Sequence, residues 1–200
     1  MALEQNYLGV RSYLPFVERQ SVRPENLAFV LNGVLIIGLN QVAGVDDVGY
    51  ELRLDDNEAW IDEQVDKYES EMESGRIRLC IIFLHSGKGS RVFRHFKRKL
   101  SGYYFPTLAF KGDGHTFTVS NNLRDVGQDF GWDMFKAVQV DQGGKAPPIK
   151  ITVQGTTAEA QTMKPMEMDT FTNFTFWDFV RLDRRGGVYS TFLETEAVGE

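Results

Sequence analysis

The run Leu79-Cys80-Ile81-Ile82-Phe83-Leu84 constrains the fold of this chain more than any other segment. It shows no polar alternation, so it reads as a strand that hides both faces. Such a strand must lie inside a sheet with other layers packed on it. An amphipathic pattern precedes it. Trp60, Ile61, Val65, Tyr68 and Met72 recur at three- and four-residue steps and form one apolar stripe. The pattern predicts a helix that opens at Asp55-Asp56, where acids suit the positive end of the macrodipole, and closes at Gly75. After the apolar run come a glycine-rich loop from His85 to Ser90, a basic helix over 91–100 and a strand over Pro106–Phe110. Helix, strand, loop, helix, strand in that order predicts an α/β layered sheet.

Strand pairs at both ends make the sheet a mixed one. Leu27–Leu31 and Val34–Gly38 flank Asn32-Gly33, a dipeptide that supplies the positive φ angles of a tight hairpin turn. Later strands are expected at 116–120, 135–140 and 149–153. Residues 3–19 read as a short helix broken or started by Pro15, and 39–53 as loop. Composition changes near 154, which divides the chain into a domain over 1–154 and a region over 155–200. The latter comprises a linker (155–170), an aromatic segment (171–182) that packs back on the core or on a partner, and a frayed polar end.

Composition excludes several functions. A formal net charge of −6 argues against binding nucleic acid through its phosphates. The single cysteine, Cys80, forbids an internal disulfide and reads as a small buried apolar residue. There is no Cys/His zinc spacing. No apolar stretch approaches the roughly 20 residues of a membrane span, and the N-terminus lacks the features of a signal peptide. If complete, the chain is expected to be cytoplasmic.

Two of the three histidines stand where a buried strand runs into a loop: His85 in Phe83-Leu84-His85-Ser86-Gly87, and His115 in Gly112-Asp113-Gly114-His115. Imidazole held at a rigid strand end is a good ligand for a first-row metal. Gly112 and Gly114 allow close backbone approach. Asp113 could ligate, orient a ligand, or only make a local turn. His95, in Arg94-His95-Phe96-Lys97, reads as a residue of a solvated helix face. Lys88, Arg91, Arg94, Lys97, Arg98 and Lys99 either attract a phosphate-bearing molecule or simply solvate that helix. Gly87-Lys88-Gly89-Ser90 lacks the Walker spacing, and Gly143-Gly144-Lys145 reads as a turn.

The order of a hairpin strand, Gly38-Leu39-Asn40, Asn57-Glu58-Ala59-Trp60-Ile61, an apolar strand, His85 and Gly112-Asp113-Gly114-His115 resembles the C-terminal half of calcineurin-like metallophosphoesterases. In that family a Q-x-x-W-L helix precedes a strand that ends in a metal-binding histidine, and a G-H-x-H segment follows. Here Asn57 stands at the Gln position and Trp60-Ile61 at the W-L positions. Leu84 replaces the glycine usual before the first histidine. Asp113 occupies the first histidine position of G-H-x-H, and His115 the last. Arg23-Pro24-Glu25-Asn26 and the segment from Gln139 to Pro148 resemble a microbial branch of the family. The likeness spans residues 10–154.

The resemblance implies a mixed layered sheet like half of a metallophosphoesterase sandwich. It implies His85, Asp113 and His115 as ligands of divalent zinc, manganese or iron, and Asn40 and Lys88 as site-lining residues. The substrate would be a small phosphate ester. The family's G-D-x-x-D and G-N-H-D/E motifs are absent, so the metal site is incomplete and the sequence reads as a truncated phosphoesterase. It is expected to hydrolyse esters only when the missing N-terminal half is supplied. The alternative is a non-catalytic binding or assembly module on the same scaffold, and a third reading is an unrelated α/β domain with incidental histidines. Uncovered sheet surface predicts self-association or a complementing chain.

Overall fold

A computed structural model describes residues 16–42, 48–86, 91–100, 106–115, 117 and 135–140 in full, with the backbone of 90, 118–120, 149–153, 177–182 and 188–191. The strands are β1 (Glu18–Arg19), β2 (Leu27–Leu31), β3 (Val34–Gly38), β4 (Leu79–Phe83), β5 (Thr107–Lys111), β6 (Thr118–Ser120), β7 (Phe135–Gln139), β8 (Ile149–Val153), β9 (Trp177–Leu182) and β10 (Val188–Thr191). The helices are α1 (Val48–Lys67), α2 (Glu69–Glu73) and α3 (Ser90–Leu100). The fold is mixed α/β, as the order of elements predicts.

A seven-stranded sheet runs β1-β2-β3-β4-β5-β7-β6. Its centre, β3-β4-β5-β7, is parallel. Antiparallel pairs close both sides, β1-β2-β3 on one and β7-β6 on the other. A separate three-stranded antiparallel sheet joins β8, β9 and β10, so the polar end carries a strand where fraying is expected.

The β2–β3 turn obeys its dipeptide. Asn32 and Gly33 have φ of 51° and 78°, the two positive values of a turn matched to strand twist. β4 is buried from Leu79 through Ile82, as expected of a central parallel strand. The pleat gives it two apolar faces. Leu35, Ile37, Cys80, Ile82, Ala109 and Ala137 share one cluster with Trp60, Ile61 and Val65 of α1 and Val92, Phe93 and Phe96 of α3. On the opposite face Leu79, Ile81, Leu108, Phe110 and Val138 form a second cluster, with Val34 and Ile36 against it.

Two local expectations fail. α1 begins at Val48, not at Asp55-Asp56, because Tyr50 and Leu54 are buried and carry the apolar stripe back almost two turns. Glu18–Arg19, read as the end of a helix, pair instead with Leu27 and Ala28 as an edge strand. Residues 1–15, 155–176 and 192–200 lie outside the described residues, as do Lys88 and Gly143-Gly144-Lys145.

Candidate functional site

The parallel register decides where the two histidine loops go. Phe83 of β4 pairs with Phe110 of β5, so both strands end at the same level. Beyond them Leu84 N donates to the Phe110 carbonyl at 3.0 Å, and Gly112 N donates to the His85 carbonyl at 2.8 Å. The His85 and Asp113–His115 loops thus leave one rim side by side, at the C-terminal ends of adjacent parallel strands. Asn40 stands two residues past β3, the next parallel neighbour, on that rim.

The glycines of the second loop are there for space. A Cβ on Gly112 would stand 3.3 Å from His85 Nδ1, so the imidazole lies against the Gly112 backbone. A Cβ on Gly114 would come within 2.8 Å of Gln139 Cδ and Oε1. Gln139 is 5% exposed, and its Nε2 donates to the carbonyls of Lys111 and Val140, each at 3.2 Å. It therefore forms a fixed floor under the turn. His115 has φ of 53°, a left-handed conformation uncommon for a residue with a side chain. The His85 and His115 side chains are both exposed.

A side-chain bond also links the loops. Ser86 is fully buried, and its Oγ donates to Asp113 Oδ2 at 2.9 Å. Behind the rim, His85 N and Ser86 N both donate to the Gln41 carbonyl, at 3.1 and 2.8 Å. Gln41 Oε1 accepts from Asn57 Nδ2 at 2.9 Å, and Asn57 Oδ1 accepts from Asn26 Nδ2 at 2.9 Å. Little in the sequence marks these partners as site residues. One signal was present: Asn57 is a polar residue on the apolar stripe of α1, between Leu54 and Ile61. Ser86 and Gln41 sit in loops with no periodicity to mark them.

His95 corrects the sequence reading. It is 9% exposed and faces α1, not solvent. Its Nε2 lies 2.6 Å from Asp62 Oδ1, and Arg98 Nη2 lies 2.9 Å from its Nδ1. That pairing suits the tautomer with its proton on Nε2. Burial raises the Asp62 pKa, but hydrogen bonds from His95 and Lys99 outweigh it and hold the carboxyl below its usual range. Arg91 binds Glu58 at 2.8 Å, Glu51 at 3.0 Å, and Asp55 as well. Three of the basic side chains on α3 (Arg91, His95 and Lys99) are therefore engaged with acids of α1.

Metal chemistry demands more donors than the described residues of this rim gather. Among the described residues no group of three or more His, Cys, Asp or Glu side chains stands close enough to hold a metal ion. His85, Asp113 and His115 share a rim but do not by themselves form a coordination cage. No helix among the described residues is long and apolar enough to cross a membrane. Comparison of the chain with protein-family models, curated proteins and solved structures finds no match.

Proposed function

We propose that this chain contributes one half of a phosphoesterase centre of the calcineurin-like type, acting on small phosphate esters. His85, Asp113 and His115 are its metal-facing groups, with Asn40 on the same rim. One observation carries the reading: the 2.8 Å bond from Gly112 N to the His85 carbonyl, which ties both imidazole loops to one rim at the C-terminal ends of neighbouring parallel strands. Open α/β sheets bind their ligands at such rims.

The donor set sets the limit of the reading. Two divalent ions about 3.5–4 Å apart need a bridging carboxylate and several further ligands. Two imidazoles and one carboxylate do not supply them. Hydrolysis therefore belongs to an assembly in which a second chain or segment adds acidic ligands, and this chain alone turns over no ester. The same reading puts the chain in a complex, with itself or with that complement.

The three histidines make the test internal. Manganese(II) titrated into the isotopically labelled chain broadens nearby imidazole signals steeply with distance. Weak binding at the rim is expected to broaden His85 and His115 and to spare His95, which is held between α3 and α1. Equal broadening of all three, or none, refutes the rim as a metal-facing edge. Turnover of bis-p-nitrophenyl phosphate by the isolated chain refutes the need for a complement. Broadening without turnover in any complex points to the non-catalytic module.

A further inference from the structure

We infer that Asn57 and Gln41 are positioning residues for the His85 bend, acting through a buried relay of carboxamides from α1 to the rim. The consequence for ligand binding rests on the reading of that rim given above; the positional link stands on geometry alone.

The relay is continuous. Gln20 Nε2 donates to the Asp56 carbonyl of α1 at 2.8 Å, and Gln20 Oε1 accepts from Asn26 Nδ2 at 2.7 Å. Asn26 Oδ1 accepts from Asn40 N at 2.6 Å, which draws the loop after β3 inward. Asn57 Nδ2 then holds Gln41 Oε1 and, at 3.4 Å, the Asn40 carbonyl. Gln41 N closes a tight turn onto the Leu39 carbonyl at 2.8 Å, and the Gln41 carbonyl accepts both amides of the bend. Ser86 passes the constraint on to Asp113.

Burial makes this costly to build and directional once built. Asn26 and Asn57 are 0% exposed, and Gln41 is 1% exposed. Apolar side chains could fill the same space without setting an angle, whereas hydrogen-bonded amides fix orientation. Among the described residues Gln41 Nε2 finds no acceptor, and Asn57 anchors the Gln41 side chain through Oε1.

The test separates local from global effects. Gln41→Leu keeps the backbone carbonyl, breaks the link to Asn57 and removes an unsatisfied donor, so it should fold. Asn57→Ala breaks the relay from the other end. Amide hydrogen exchange is followed residue by residue. In both variants the amides of His85, Ser86 and Gly112 are expected to exchange about tenfold faster or more. The Cys80 amide, bonded to the Pro106 carbonyl at the far end of β4, should keep its rate. A folded Gln41→Leu protein with unchanged rates at His85 and Ser86 overturns the inference, as does a uniform rise at every amide. If Asn57→Ala fails to fold, Gln41→Leu decides. Manganese(II) adds a second readout: the broadening of His85 should fall relative to His115 in Gln41→Leu, and an unchanged ratio also overturns the inference. Absence of broadening in the parent protein sinks the functional reading only, and the exchange rates still decide the relay.

Discussion

Gly114→Ala is expected to destabilise the protein through one side chain, Gln139. The added methyl would stand 2.8 Å from Gln139 Cδ and Oε1 and 3.3 Å from Cγ. Gln139 has little room to retreat, since it is buried and its Nε2 bridges the carbonyls of Lys111 and Val140. Moving it weakens two hydrogen bonds worth about 1 kcal/mol each, or forces an overpacking cost of about 1–3 kcal/mol. Against this, alanine narrows the unfolded ensemble and returns about 0.4–1 kcal/mol. The net loss is about 1–2 kcal/mol, or roughly 3–6 °C in Tm for a chain of this size. Urea unfolding followed by tryptophan fluorescence gives the number, with buried Trp60 as a reporter of the core. The decisive measurement is a double-mutant cycle. In a Gln139→Ala background the collision is absent, so Gly114→Ala should become neutral or slightly stabilising, with a coupling of about 1–3 kcal/mol, the cost of the collision itself. Gly75→Ala serves as control: its φ is 72° and nothing lies within 4 Å of the added Cβ, so its backbone cost of about 1 kcal/mol should not depend on Gln139. Equal costs for Gly114→Ala in both backgrounds would refute the contact reasoning.

Glu18→Gln should lower stability at neutral pH and lose its effect on acidification. Burial raises the Glu18 pKa, but hydrogen bonds from Lys67 and Tyr68 outweigh it and leave the carboxyl below 4.5. A carboxyl depressed in the folded state stabilises above its unfolded pKa and stops doing so as pH falls through the folded value. The parent–variant difference in urea midpoint should therefore be full above about pH 4.5 and fade as pH falls through the lower folded value; a difference that grows on acidification contradicts the pairing. Tyr68 provides the basic counterpart. Burial and Glu18 push its hydroxyl up to about 12, so its phenolate absorbance should appear well above pH 10 in the folded protein. Cys80 is fully buried, and burial alone raises its thiol pKa. It should resist Ellman's reagent in the native protein and react fully in denaturant; rapid native labelling would contradict its place in β4.

What was legible beforehand was local. The Asn32-Gly33 hairpin needs only the φ preferences of two residues. The burial of β4 follows from an uninterrupted apolar run, and the mixed α/β order from periodicity that changes between segments. The start of α1 is hidden in the sequence because Tyr50 and Leu54 sit among glycines and acids that suggest a loop; only their burial shows the stripe continuing. His95 is hidden for the same kind of reason. Its basic neighbours suggest a solvated face, and its partner, Asp62, is 33 positions away on another helix.

The amino-acid order alone determined the alternation of layers, the hairpin, and the placing of two imidazoles just past buried strands, because each depends on residues within a few positions of one another. Tertiary structure alone decided that those imidazoles share a rim, that Ser86 grips Asp113, and that Asn57 reaches the His85 bend through Gln41. Those links span tens of residues and rest on parallel strand register and on buried amides, whose partners no local pattern records.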